Sequence, residues 1–314
     1  MEKKTRNKFI DMACFLLVVF LMVLLSLLVH EKEVIFPEVG AIAAGMFLTP
    51  HRSWMTNGKR LFFCLLLCGI AGMAIVRFLP LPLALQMIVA YILALLIQSL
   101  SGTSFMPMIS ALVLPVLLQS RSIWYLYSLV IFSLLILLIR KVLVKSGLKY
   151  EEDFIPVQRE LPWKLTLFRI LVAAGMILLA IGTGWRFMAA PPLLVAFTEL
   201  SAYQNKVIRM HPARVILLLT LSAASGAWVR LVFSGLPEGY LILSLLISSI
   251  LFLIAFYHTG PMVPPAGAAM VLAYLAPKES LYIYPLQIGI GISAYVGLTC
   301  LRNFVMQKRS GANS

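Results

Sequence analysis

Charge is what this chain has least of. Of its 314 residues, 12% are Asp, Glu, Lys or Arg, while 61% are hydrophobic. Ordinary soluble domains carry about 25% charged residues, so a soluble fold of this composition could not cover itself with polar surface. A disordered chain is excluded for the same reason, because disorder needs a sequence too polar to collapse. Cysteine is scarce too: Cys14, Cys64, Cys68 and Cys300, all inside apolar stretches. Cys64 and Cys68 share a helix face, but nothing nearby completes a metal site. The CxxC spacing of a redox pair is absent, and all four read as small core residues. Also missing are HExxH, GxSxG, a Walker loop and a paired-carboxylate motif. No enzyme, catalytic residue, metal or cofactor is therefore expected. A multi-spanning membrane protein is the class that remains, and the mean hydropathy of +0.96 agrees.

Acids are scarcer than bases, which leaves a net charge of +14. In a soluble protein that would suggest nucleic acid. Here the basic residues sit in short runs between apolar segments. They read as topology signals and contacts to anionic headgroups, with the bilayer rather than nucleic acid as partner. Lys3, Lys4, Arg6 and Lys8 precede the apolar stretch Phe9–Val29. That stretch is too long for a signal-peptide core and no small-residue cleavage site follows it, so an uncleaved first span is expected.

Eight segments are long enough to span: about 9–30, 61–79, 82–100, 122–144, 165–184, 214–233, 239–257 and 281–302. Four shorter apolar segments lie between them, near 35–49, 104–118, 189–203 and 260–276, and these are rich in Gly and Pro. Fifteen helical residues reach about 22 Å against a core of about 30 Å. The short segments are tilted spans, broken helices or re-entrant hairpins. Charge chooses between these. With twelve crossings, 20 of the 26 Lys and Arg fall on the side of the N-terminus; with the short segments re-entering, 16 do. The positive-inside rule favours twelve crossings, with both termini in the cytoplasm of a multi-pass cell-membrane protein. Trp54, Trp124, Trp163, Trp185 and Trp228 stand near segment ends, as an aromatic belt would.

The order of segments repeats: long, short, long, long, short, long, then again. Pro37 and Pro191 are 154 apart, as are Arg60 and Arg214, and Gly72 and Gly226. Pro107 and Pro265 are 158 apart, as are Ser122 and Ser280. The expected fold is an all-α polytopic membrane helical bundle of two parallel repeats. Each has about six apolar segments, four long and two short or broken. The first repeat covers 1–144, a solvated cytoplasmic linker 145–164, and the second repeat 165–314. With six crossings per half, the halves are related by an axis along the membrane normal.

An ionisable residue inside a membrane segment is costly, so it is a functional candidate by default. Glu199 is the deeper of two, flanked by Thr198 and Ser201. The plain alternative is a neutral Glu bonded to a neighbouring helix. Glu38 lies between Pro37 and Val39 at the start of its segment, near the outer interface. The repeat places Gly45 opposite Glu199, so this acid is asymmetric, which suits proton coupling or a cation site in one half. The second feature is the run His258, Thr259, Gly260 to Pro264, Pro265 and Gly267, which opens a short segment. Its counterpart is Ser101, Gly102 and Thr103 leading to Pro107. Free N–H groups after such turns are an anion site in waiting; the alternative is a pair of tight turns between spans. Matching Gly/Pro-interrupted short segments in both halves are a pointer to a transport site. Arg77 and Arg230 end equivalent spans; they either draw in an anion or, as we favour, snorkel to headgroups.

At Val263-Pro264-Pro265-Ala266-Gly267-Ala268-Ala269 the chain resembles the HPP family of integral membrane proteins, named for a His-Pro-Pro motif in a phrase like HPPAG. The resemblance covers roughly 189–302 and recurs more weakly over 35–144, where Pro107 remains of the motif. Val263 stands where the family has His, so that role is either absent here or moved to His258. Some family members are associated with nitrite transport in plastids. The resemblance therefore implies a small-anion transporter, and carries over Pro264, Pro265 and Gly267. The six-span pattern is also similar to fusaric-acid-resistance-like aromatic acid exporters, which usually carry a large cytoplasmic region that this chain lacks. A small-molecule or ion substrate passing between the halves is expected; self-association into a homo-oligomer is left open.

Overall fold

The computed structural model describes residues 8–49, 51, 53–150, 153–157, 162–202 and 210–311, with 308–311 as backbone alone. The described residues form twelve α-helices and no strand. In chain order they are α1 (Lys8–Val29), α2 (Pro37–Ala43), α3 (Gly58–Phe78), α4 (Leu83–Ser101), α5 (Pro107–Leu118) and α6 (Trp124–Lys145). The second six are α7 (Trp163–Gly182), α8 (Pro191–Leu200), α9 (Pro212–Phe233), α10 (Tyr240–Thr259), α11 (Pro265–Leu272) and α12 (Tyr284–Gly311). A π-helical turn, Ala44–Leu48, continues α2. Eight of the helices are long and apolar enough to cross a membrane, at the places the sequence predicts.

Burial separates the two kinds of helix. About a third to a half of each long helix is buried. Its outer face keeps large apolar side chains such as Phe63, Leu171 and Val232 exposed to lipid. The short helices are enclosed. Every residue of α2 and α11 is buried, as is all of α5 except Leu118 and all of α8 except Glu199. The four pack in a ring, α2 on α5, α5 on α8, α8 on α11 and α11 on α2, and the long helices surround it.

The short helices cross. Ser128 of α6 donates to the carbonyl of Val34 just before α2 (2.6 Å), and Arg140 of α6 donates to that of Met46 at its end (2.9 Å). So α2 runs beside twelve residues of α6, about 18 Å of rise. Likewise α8 starts where Gln287 of α12 accepts from the Phe187 N–H (3.0 Å) and ends where Arg302 of α12 donates to Ser201 (3.1 Å). Neither α2 nor α8 is therefore one arm of a re-entrant hairpin. The face holding the start of α1 and the end of α12 is termed the terminal face, and the opposite one the far face.

The repeat is present in space as well as in order. All four short helices begin with proline: Pro37, Pro107, Pro191 and Pro265. Its fixed φ suits the first turn, where an N–H would be unpaired. A methyl group at Gly72 would run into the Leu112 carbonyl, and one at Gly226 into that of Met270, which is the 158-residue counterpart. Tyr125 donates to Ala111 and Tyr284 to Ala269, both at 2.7 Å. The contact of α1 with α10 is matched by that of α7 with α4, and α2 with α11 by α8 with α5. These matched contacts place a pseudo-twofold axis through the ring of short helices.

Carbonyl ends of short helices stop inside an apolar slab, where an unpaired group is expensive. Cations satisfy them. Arg140 and Lys149 hold Met46 and Phe47 (2.9 and 2.7 Å), and Arg169 and Arg302 hold Thr198 and Ser201 (2.6 and 3.1 Å). Arg230 donates to Ala273 and, at 2.6 Å, to Ala276. It turns inward to cap the chain after α11, which corrects the snorkelling expectation, whereas Arg77 is exposed. The linker is also more than a solvated tether. Lys149 is buried against Asp11 of α1 (3.1 Å), and Val157 donates to the Gly102 carbonyl (3.0 Å). Glu151 and Glu152 of the linker, Lys206 and Arg209 of the second basic loop, and the basic residues before Lys8 lie outside the described residues.

Candidate functional site

Glu199 occupies the last turn of α8, and of the ten residues in that helix it is the one that escapes full burial. It does so because its carboxyl faces a cavity of about 280 Å³ on the terminal face. Ser53, Trp54, Ser104 and Met106 line this cavity from the first repeat, and Leu200, Ala202, Met262, Val263 and Pro264 from the second. Ser104 and Met262 are repeat counterparts, as are Met106 and Pro264. The cavity therefore sits on the pseudo-twofold axis, above the ring of short helices.

Trp54 shapes it. The pair of bonds between Met55 and Ser104, 2.8 and 3.1 Å, pins the loop after α2 to the start of α5. This holds the buried indole edge-on against Phe105, with ring centres 5.3 Å apart. The ring lies on Gly45, where any side chain would collide with it. From there its N–H donates to Glu199 at 2.6 Å. Gly45 and Glu199 are counterparts, so one tryptophan bridges the two equivalent positions.

The residues singled out in the sequence do not all meet. Pro264 lines the axial cavity with Glu199, and Pro265 starts α11 behind it. Thr198 points away, accepting from the Tyr91 hydroxyl (2.8 Å) and donating to Leu194 (2.7 Å). Gly267 lies deeper, where α11 crosses α2; a Cβ on Gly267 or Gly40 would stand 2.5 Å from the other's carbonyl oxygen. Ser101, with Gly102 at φ +61, closes α4, and its carbonyl takes a bond from Arg60. Gly102 and Thr103 line a separate cavity of about 160 Å³ with Arg169, adjacent through Met106. Pro107 is buried at the head of α5. His258 and Thr259 line a third space with Arg214, a groove of about 650 Å³ between α9 and α10. Gly260, at φ +88, closes α10 there. His258 is exposed, with Nδ1 2.9 Å from the Ile254 carbonyl, and is not among the residues that line the axial cavity.

Two of the N–H groups expected to be free are taken. Those of Ala266 and Gly267 bond to Val263 and Pro264 (3.1 and 3.0 Å). Two features were missed. Trp54 reads as a belt residue because it stands near a segment end. Arg169 reads as a loop cation, although its place inside α7 was the available signal. Among the described residues no cluster of His, Cys, Asp and Glu could hold a metal ion, and all four cysteines are free. Comparison with family models, curated proteins and solved structures finds no match to the chain.

Proposed function

We propose that the protein is a secondary transporter that passes a small solute along the axis between its repeats, with Glu199 as the coupling carboxyl. The axial cavity carries this reading, since both repeats build it and one of them alone supplies its acid. Transport sites of repeat-built carriers lie at such interfaces, beside broken helices. The positive-inside rule assigns the terminal face to the cytoplasm of a cell membrane. The solute is a small inorganic anion such as nitrite, which the likeness of Val263–Ala269 to the HPP phrase supports. In this reading Glu199 carries the coupling proton, so that transport is proton–anion symport. The test is nitrite uptake into proteoliposomes under an imposed pH gradient. Gradient-driven uptake is expected for the wild type and lost in Glu199→Gln, with thermal unfolding unchanged. Equal uptake by both would remove Glu199 from the mechanism.

A second reading has its own observation. The α9–α10 groove is apolar along Leu217, Leu221, Leu251 and Ile254, and Arg214 and His258 stand at one end. That shape suits an amphipathic organic acid, its ring in the groove and its carboxylate at Arg214. Efflux of an aromatic acid that depends on Arg214 but not on Glu199 would favour this reading over the first.

A further inference from the structure

We infer that Glu38 is a second proton-carrying carboxyl of the same pathway, placed beyond its closed point and reached when the far face opens. The inference rests on the axial transport reading above.

Glu38 is 0% exposed in the first turn of α2. Ser110 of α5 donates to its Oε1, while Oε2 is buried with no hydrogen-bond partner. A carboxyl with one oxygen idle is costly inside a protein, so either a purpose or a packing constraint must keep it. Packing does not. The counterparts of Glu38 and Ser110 in the second repeat are Pro192 and Ala268, both buried. The fold thus makes the same helix contact there without a polar group.

Its position relates it to Glu199. Met106, just before α5, lines the axial cavity and Ser110, one turn on, holds Glu38. On the other side, Pro264, just before α11, lines the cavity and Gly267, one turn on, meets Gly40, two residues from Glu38. The Gly40–Gly267 crossing closes the path between the two acids, with backbone against backbone. Glu199 faces the terminal side of this closure and Glu38 lies past it. Small residues let such helices approach closely, and separation there would bring water to Oε2. The titratable group that faces Glu38 is Tyr125 of α6, with Cys68 of α3 behind it; α5 and α11 contribute none. With a single donor and, among the described residues, no cation bonded to it, Glu38 holds its proton in the closed arrangement and releases it to water when the far side opens.

The test uses the full chain in liposomes with dicyclohexylcarbodiimide, which adds to protonated carboxyls in apolar surroundings. Adducts are located by peptide mass spectrometry. Modification of Glu38 is expected, at least about tenfold faster at acid than at alkaline pH, as for one titrating group. Ser110→Ala, which keeps the carboxyl and removes its donor, is expected to shift the pH at which modification falls off. Glu38→Gln should lose gradient-driven nitrite uptake yet retain nitrite exchange without a gradient. A Glu38 that is never modified while Glu199 is, or wild-type driven uptake by Glu38→Gln, would overturn the assignment. If the wild type moves no nitrite, the transport reading fails by itself, and the labelling still decides Glu38.

Discussion

Trp54 and Glu199 are 145 residues apart and meet through one hydrogen bond. The indole reaches the carboxyl because Gly45 leaves room for the ring and Ser104 fixes the loop that carries it. Trp54→Phe keeps the ring contacts and removes the N–H. Driven nitrite uptake is expected to fall about tenfold or more, with stability lowered by no more than about 0.5–1.5 kcal/mol, the contribution of one hydrogen bond to a neutral carboxyl. Unchanged uptake would leave Trp54 a packing residue. Glu199 was legible in the sequence because an acid far from a segment end has few bland explanations. Trp54 was not, since interfacial tryptophans are common and nothing local shows which one turns inward. Glu38 was placed at the outer interface because proline beside it marks a segment start; enclosure of that start by α5 and α6 depends on residues seventy and more positions away.

At the scale of elements, short helices in the centre of a membrane bundle need close backbone approach and filled carbonyl ends. Glycine provides the first. Gly72 and Gly226 let α3 and α9 lie against the carbonyls of α5 and α11. Overpacking costs about 1–3 kcal/mol, so Gly72→Ala and Gly226→Ala are each expected to lower the stability of the detergent-solubilised protein by about that amount. Gly175→Ala, where a Cβ meets nothing within 4 Å, should not. Thermal unfolding of the three variants checks this, and a harmless Gly226→Ala would break the equivalence. Arginine and lysine provide the second need. Part of the positive charge that reads as topology signal is occupied on buried carbonyls, as with Arg169, Arg230 and Lys149. Sequence counts could not separate the two uses, because a cation near a segment end looks the same whether it faces water or a helix terminus.

The whole molecule is held together across its repeats. Each short helix of one half packs on one of the other, and α1 and α7 each embrace a long helix of the opposite half. Neither half encloses its own short helices. Residues 1–157 or 158–314 expressed alone are therefore expected to be degraded in the membrane, and the two co-expressed to assemble and co-purify. Stable accumulation of a single half would show that the ring is not the organising contact.

Composition and order determined much by themselves. A chain this poor in charge has no soluble option, eight apolar runs are long enough to span, and the Pro, Gly, Arg and Ser landmarks of the two halves recur at nearly fixed spacing. These are local properties, written in consecutive residues, so they survive without coordinates. Tertiary structure decided the rest. It decided that the short segments cross, that Glu199 and Pro264 share an axial cavity while His258 faces a lipid-side groove, and that Glu38 is enclosed. The physical reason is common to all three. In a bilayer the lipid-facing and protein-facing sides of a helix are equally apolar, so hydropathy tells that a segment is buried in something, and only the packing tells in what.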